Sequence, residues 1–102
     1  MRAARVGLDM ARIAEFCRKW QITELALFGS ALRDDFTCDS DVDVLVTFAP
    51  TAKWSLSDVA QMEDELRGVF GREVDLVEKA GLRNPFRRHH ILTTREIIYA
   101  TR

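Results

Sequence analysis

The chain has 102 residues, 47% of them hydrophobic and 30% charged, and a formal net charge of −1. That length allows one apolar core but no separate substrate-recognition module, and the near-neutral balance argues against holding nucleic acid through bulk charge. No run approaches the roughly 18 apolar residues of a membrane span, and two cysteines without CxxC spacing, behind no apolar leader, fit a reducing cytoplasm.

Met1 to Gly7 carries Arg2 and Arg5 without periodicity, so residues 1–8 read as a flexible start and 9–100 as a single domain. Ile13, Phe16, Cys17 and Trp20 fall at helical spacing behind Asp9, which predicts an amphipathic helix over 9–20. Ile22 to Phe28 predicts a first strand broken by Gly29, and Ser30 to Asp34 a helical turn at most. Asp41 to Phe48 is a second strand stopped by Pro50, expected to pair antiparallel with the first. Ser57 marks the start of a helix with Val59, Met62, Leu66 and Val69 on its apolar side and Gly71 at its end. Glu73 to Val77 is a third strand, and Asn84-Pro85 opens a helix over about 84–93. Ile97, Ile98 and Tyr99 form an apolar stretch of undecided type. The order implies an α/β domain with a small mixed β-sheet flanked by helices.

The chemistry concentrates in residues 28–46, FGSALRDDFTCDSDVDVLV. Alternation along an extended chain puts Asp39, Asp41 and Asp43 on one face and Val42 and Val44 on the other. Two carboxylates about 6 Å apart repel by roughly 3 kcal/mol at an effective dielectric of 20, so such a strand needs compensation. Mg²⁺ supplies it, since it takes one or two carboxylates and fills its remaining positions with water and phosphate oxygens. Asp75 interrupts another apolar strand in EVDLV and is the third candidate ligand. Ahead of them, Gly29 lets the backbone approach a ligand, and Ser30 offers an N–H and a hydroxyl to phosphate. An EF-hand loop from Asp39 is excluded by Val44 and Pro50 at its sixth and twelfth positions, and a P-loop by the missing lysine after Gly29.

The stretch LFGSALRDDFTCDSDVDVLV, with EVDLV and NPFRRHHILTTREIIYA downstream, resembles the minimal nucleotidyltransferases of the DNA polymerase β-like superfamily, the small antitoxins of HEPN/MNT toxin–antitoxin pairs. Gly29, Ser30, Arg33, Ser40, Asp41, Asp43 and Asp75 stand where that pattern has them. The resemblance implies a polymerase β-like core in which Gly29, Ser30, Arg33 and Ser40 bind the nucleotide. It also implies that Asp41, Asp43 and Asp75 hold one or two Mg²⁺ and catalyse transfer of AMP from ATP. The implied acceptor is a hydroxyl of a HEPN toxin, a tyrosine near its active site. Asp34 replaces a usual glycine and Cys38 a frequent proline, both in the phosphate-side loop.

Other readings stand beside these. The acids can be a solvated strand start, Asp39 a turn residue, and Arg33 the partner of a nearby aspartate. Arg87, Arg88, His89 and His90 form a charged helix face, the kind that is usually just solvated. Trp20 and Trp54 suit core or rim packing, and an exposed Trp54 or the Ile97–Tyr99 stretch suits a protein interface in a homo- or hetero-oligomer. A non-catalytic antitoxin acting by binding, and nucleotide transfer to a small-molecule hydroxyl, are the competing functions. Membrane attachment and direct nucleic-acid binding are not expected.

Overall fold

The computed structural model describes residues 9–29 and 41–101. Helix α1 (Met10–Lys19) starts where the Asp9 carboxylate accepts from Arg12 N–H, and strand β1 (Ile22–Phe28) follows after a tight turn. Strand β2 (Val42–Phe48) leads into helix α2 (Leu56–Phe70), strand β3 (Val74–Glu78), helix α3 (Pro85–Thr94) and strand β4 (Glu96–Ala100). The sheet order is β3-β2-β1-β4: β1 is antiparallel to both β2 and β4, and β2 is parallel to β3. This is the small mixed sheet flanked by helices that the element order implied. The flexible start expected at 1–8 and the turn expected at 30–34 lie outside the described residues.

Two boundaries differ from expectation. Helix α2 is capped by Ser55 rather than Ser57, because the Ser55 hydroxyl accepts from Asp58 N–H while the Asp58 carboxylate accepts from Ser55 N–H. That reciprocal box satisfies two N–H groups at once, more than a lone Ser57 can. The undecided stretch at 97–99 is an edge strand, drawn out by pairing with β1 rather than by its own pattern.

Alternation divides the sheet into two faces. Leu25 and Leu27 of β1, Val42, Val44 and Val46 of β2, and Val74 of β3 face α1 and α2, meeting Ile13, Phe16, Cys17, Met62, Leu66 and Phe70. Cys17 is fully enclosed there, and burial pushes its thiol up to about 12, so it stays protonated and inert. The opposite face has a smaller cluster of Ala26, Phe28, Leu45, Leu82 and Ile91. Helix α3 leaves the β3 edge and arrives at the β4 edge, so it crosses this second face entirely. Arg95 fastens its end, with its Nε 3.3 Å from Glu24 Oε2 on β1.

The tryptophans close the α1–α2 side. Trp20 and Trp54 meet edge to face at 5.2 Å, and Phe48 packs on Trp54 at 6.4 Å. Trp54 therefore belongs to the packing, and the reading of it as an exposed interface residue does not hold. Beside them Glu65 accepts from Lys19 Nζ at 2.9 Å, Trp20 Nε1 at 3.2 Å and Gln61 Nε2 at 3.2 Å. Burial pushes the Glu65 carboxyl up, but these donors and the Lys19 charge outweigh it and leave it below its ordinary value of 4.5. Its contribution is present above that value and is lost as the pH falls through the lower, folded-state one. Glu65→Gln should therefore lower stability by roughly 0.5–1 kcal/mol near neutrality, Lys19 being half in water, and should flatten the acid limb. Urea midpoints followed from neutral pH to below 4.5 check both expectations, and an unchanged acid limb in the variant refutes the clasp.

Candidate active site

The carboxylates arise from the same alternation that builds the core. With Val42, Val44 and Val46 turned to the helices, Asp43 falls on the opposite face with Leu45, and Asp41 stands immediately before the strand. On β3, Val74 joins the large core and Asp75 takes the other face. The parallel register then sets Asp43 directly opposite Asp75. Asp43 is half-buried, while Asp41 and Asp75 are exposed.

Side chains directly opposite in neighbouring strands stand about 5 Å apart at their Cβ atoms, and two carboxylates at that spacing repel by roughly 3 kcal/mol at an effective dielectric of 20. Among the described residues, no three His, Cys, Asp or Glu side chains are drawn together closely enough to hold an ion. Asp43 and Asp75 share a register on adjacent strands without a third such group converging on them. As hard oxygen donors on adjacent strands they fit Mg²⁺, which demands oxygen ligands and takes few of them from protein.

Gly29 gives the site its tightest constraint. It follows β1 with φ +62°, and a Cβ built on it would run into the Asp43 carboxylate. Phe28, the last residue of β1, pairs with Asp43, which brings the glycine to that side chain. The sequence reading assigned Gly29 to close approach of a ligand; the group it makes room for here is Asp43 itself. Ser30, Arg33, Ser40, Asp34, Cys38 and Asp39 lie outside the described residues.

The family described as the nucleotidyltransferase domain matches residues 10–98. The chain belongs to the nucleotidyltransferase domain family. The resemblance read from the Gly-Ser and Asp-x-Asp stretch is thereby borne out, and with it the expected enzyme class. The protein adenylyltransferase MntA of Thermococcus cleftensis is 33% identical over 85 residues, 83% of this chain and 81% of that protein. A solved structure provisionally described as a minimal nucleotidyltransferase superposes with a TM-score of 0.69 at 30% identity, covering 85% of this chain and 86% of the other. A toxin–antitoxin crystal structure with AMP-PNP contains a chain of the same fold, with a TM-score of 0.72 at 21% identity over 93% of this nucleotidyltransferase and 76% of that chain.

Gly71 offers an internal control for Gly29. It caps α2 with φ +69°, but a Cβ there meets nothing within 4 Å. Gly71→Ala should cost about 1 kcal/mol for the left-handed backbone alone, whereas Gly29→Ala should cost a further 1–3 kcal/mol, roughly, for the collision with Asp43. Equal losses in paired denaturation curves would remove the close approach from the account.

Proposed function

We propose that this nucleotidyltransferase is a Mg²⁺-dependent antitoxin enzyme that moves AMP from ATP to a hydroxyl, a tyrosine's, on a cognate HEPN ribonuclease toxin. The observation that carries the reading is Asp43 opposite Asp75, beside a glycine where a Cβ would meet the Asp43 carboxylate, with Asp41 just ahead of the same strand. The naming of the Thermococcus relative as a protein adenylyltransferase and the AMP-PNP complex of a structural neighbour support it.

On this reading Gly29, Ser30, Arg33 and Ser40 hold the triphosphate, and Asp41, Asp43 and Asp75 hold the metal. When bound, Mg²⁺ neutralises charge on the phosphates and makes the acceptor hydroxyl more acidic. Asp75, the more exposed of the facing pair, takes the proton as the acceptor oxygen attacks the α-phosphorus. The bond to the bridging oxygen breaks and pyrophosphate leaves. A docked protein holds its tyrosine near the α-phosphate and so gives the transfer its effective molarity. An added AMP brings negative charge to a surface that must bind RNA phosphates, which is a physical route to inactivation. ATP of the cytoplasm supplies the nucleotide; no helix among the described residues is long and apolar enough to cross a membrane.

Two measurements test the assignment. Asp41→Asn with Asp43→Asn should abolish Mg-ATP binding in calorimetry while leaving the denaturation midpoint unchanged or higher, since like-charge repulsion is relieved. Unaltered affinity in that variant would discard the metal assignment. Mass spectrometry of the toxin after incubation with Mg-ATP should show an adenylyl adduct with the wild type and none with Asp75→Ala. Undiminished neutralisation by a variant lacking all three acids, with no adduct from either form, would leave a non-catalytic antitoxin as the answer. An adduct on a small molecule and none on protein would indicate the small-molecule alternative.

A further inference from the structure

Residues 79–95 hold Lys79, Arg83, Arg87, Arg88 and Arg95 and no acid, in a chain of net charge −1, so all other residues together carry −6. This stretch is the turn after β3, the link that follows it, and the whole of α3. Some of its charge has structural work. Arg95 is set against Glu24, and Arg88 Nη1 donates to the Lys79 carbonyl at 3.1 Å. Arg83 and Arg87 are exposed, and no ion pair engages either guanidinium among the described residues. The contrast lies on the other face, where Lys19 sits 2.9 Å from Glu65 and Arg67 2.9 Å from Glu73. A chain with acids to spare thus leaves these two arginines unmatched. Next to Arg87, the Phe86 ring is 85% exposed, while α3 turns only Ile91 fully inward.

We propose that the Arg83–Phe86–Arg87 surface at the start of α3 docks an acidic protein surface, one with clustered carboxylates around an apolar depression that receives the Phe86 ring. The proposal rests on the reading of the acceptor as a partner protein and assigns the surface that holds it. Guanidinium forks match carboxylates in two-point contacts, and an aromatic ring between arginines is the composition of an interface centre. Helix α3 also crosses the sheet face that carries Asp43 and Asp75, so a protein held on it stands on the side of the reacting groups. An RNA strand would find the same arginines and ring attractive. A strand charged at every phosphate would run on past this patch to Asp43 and Asp75 and to a chain that elsewhere carries −6, whereas the carboxylates of a protein surface can be confined to the patch that meets Arg83 and Arg87.

Fluorescence anisotropy with three probes and three variants tests the surface. The probes are a labelled Glu/Leu amphipathic helical peptide, a labelled single-stranded RNA of similar charge, and Mg-ATP. The peptide should bind the wild type more tightly than the RNA does. Arg83→Glu with Arg87→Glu should weaken it at least about tenfold and Phe86→Ala several-fold, whereas the equal charge change Arg12→Glu with Arg18→Glu on α1 should stay within about twofold. Tighter RNA binding, no peptide binding, equal loss in the α1 control, or a homodimer in sedimentation that the Arg83→Glu, Arg87→Glu variant dissolves would each overturn the proposal. Mg-ATP binding should be the same in all of these variants. Its absence from every form, wild type included, would count against the nucleotide chemistry and leave the docking result to stand by itself.

Discussion

The structure is organised around two carboxylates set side by side, Asp43 on β2 and Asp75 on β3, in a parallel register that neither strand can leave. A slip of one residue would turn Val42, Val44 and Val46 out of the core and bury Asp43 among Ile13, Met62 and Leu66. Burying a bare carboxylate costs several kcal/mol, as does exposing three valines. The apolar half of each strand therefore fixes the acidic half in place. The repulsion between the acids is borne by packing on the far side of the sheet.

That far side is the larger of the two cores. Helices α1 and α2 cover it, and the Trp20–Trp54 contact and the Glu65 clasp close one side of it. Among the described residues, the other face carries α3 and a smaller cluster of five buried residues, and α3 is tied at its end through Arg95 and Glu24. Among the described residues, the more heavily packed face is the one turned away from Asp43 and Asp75. Phosphoryl transfer suits this division, because positioning and charge do most of the catalysis and little covalent work is asked of the protein.

Much of this was legible in the residues. Strand β1 was readable to its ends because an apolar run is stopped by Gly29, and α3 because Asn84-Pro85 is a helix start with a defined geometry. Period-two alternation foretold that Asp43 stands on the side away from Val42 and Val44. Less legible was β4, where Ile97, Ile98 and Tyr99 have no period of their own and extend because β1 offers an edge, with a bulge opposite Leu25 and Ala26. The cap of α2 was misplaced by two residues because Ser55 and Ser57 are chemically alike, and only the reach of Asp58 distinguishes them. Trp54 could be read as rim or core, and its meeting with Trp20, far away in the chain, is a tertiary fact.

The sequence by itself determined the types of the elements other than β4 and the family, and it singled out the candidate acids, because short-range periodicity and a spaced Gly-Ser and Asp-x-Asp are properties of one local segment. Tertiary structure decided which acids face each other, that Gly29 accommodates Asp43, and that α3 packs on the sheet face that carries Asp43 and Asp75. Those are relations between segments, set by strand register and by the path of a helix across a sheet. They depend on which apolar faces bury one another, and no local pattern in the chain encodes that choice.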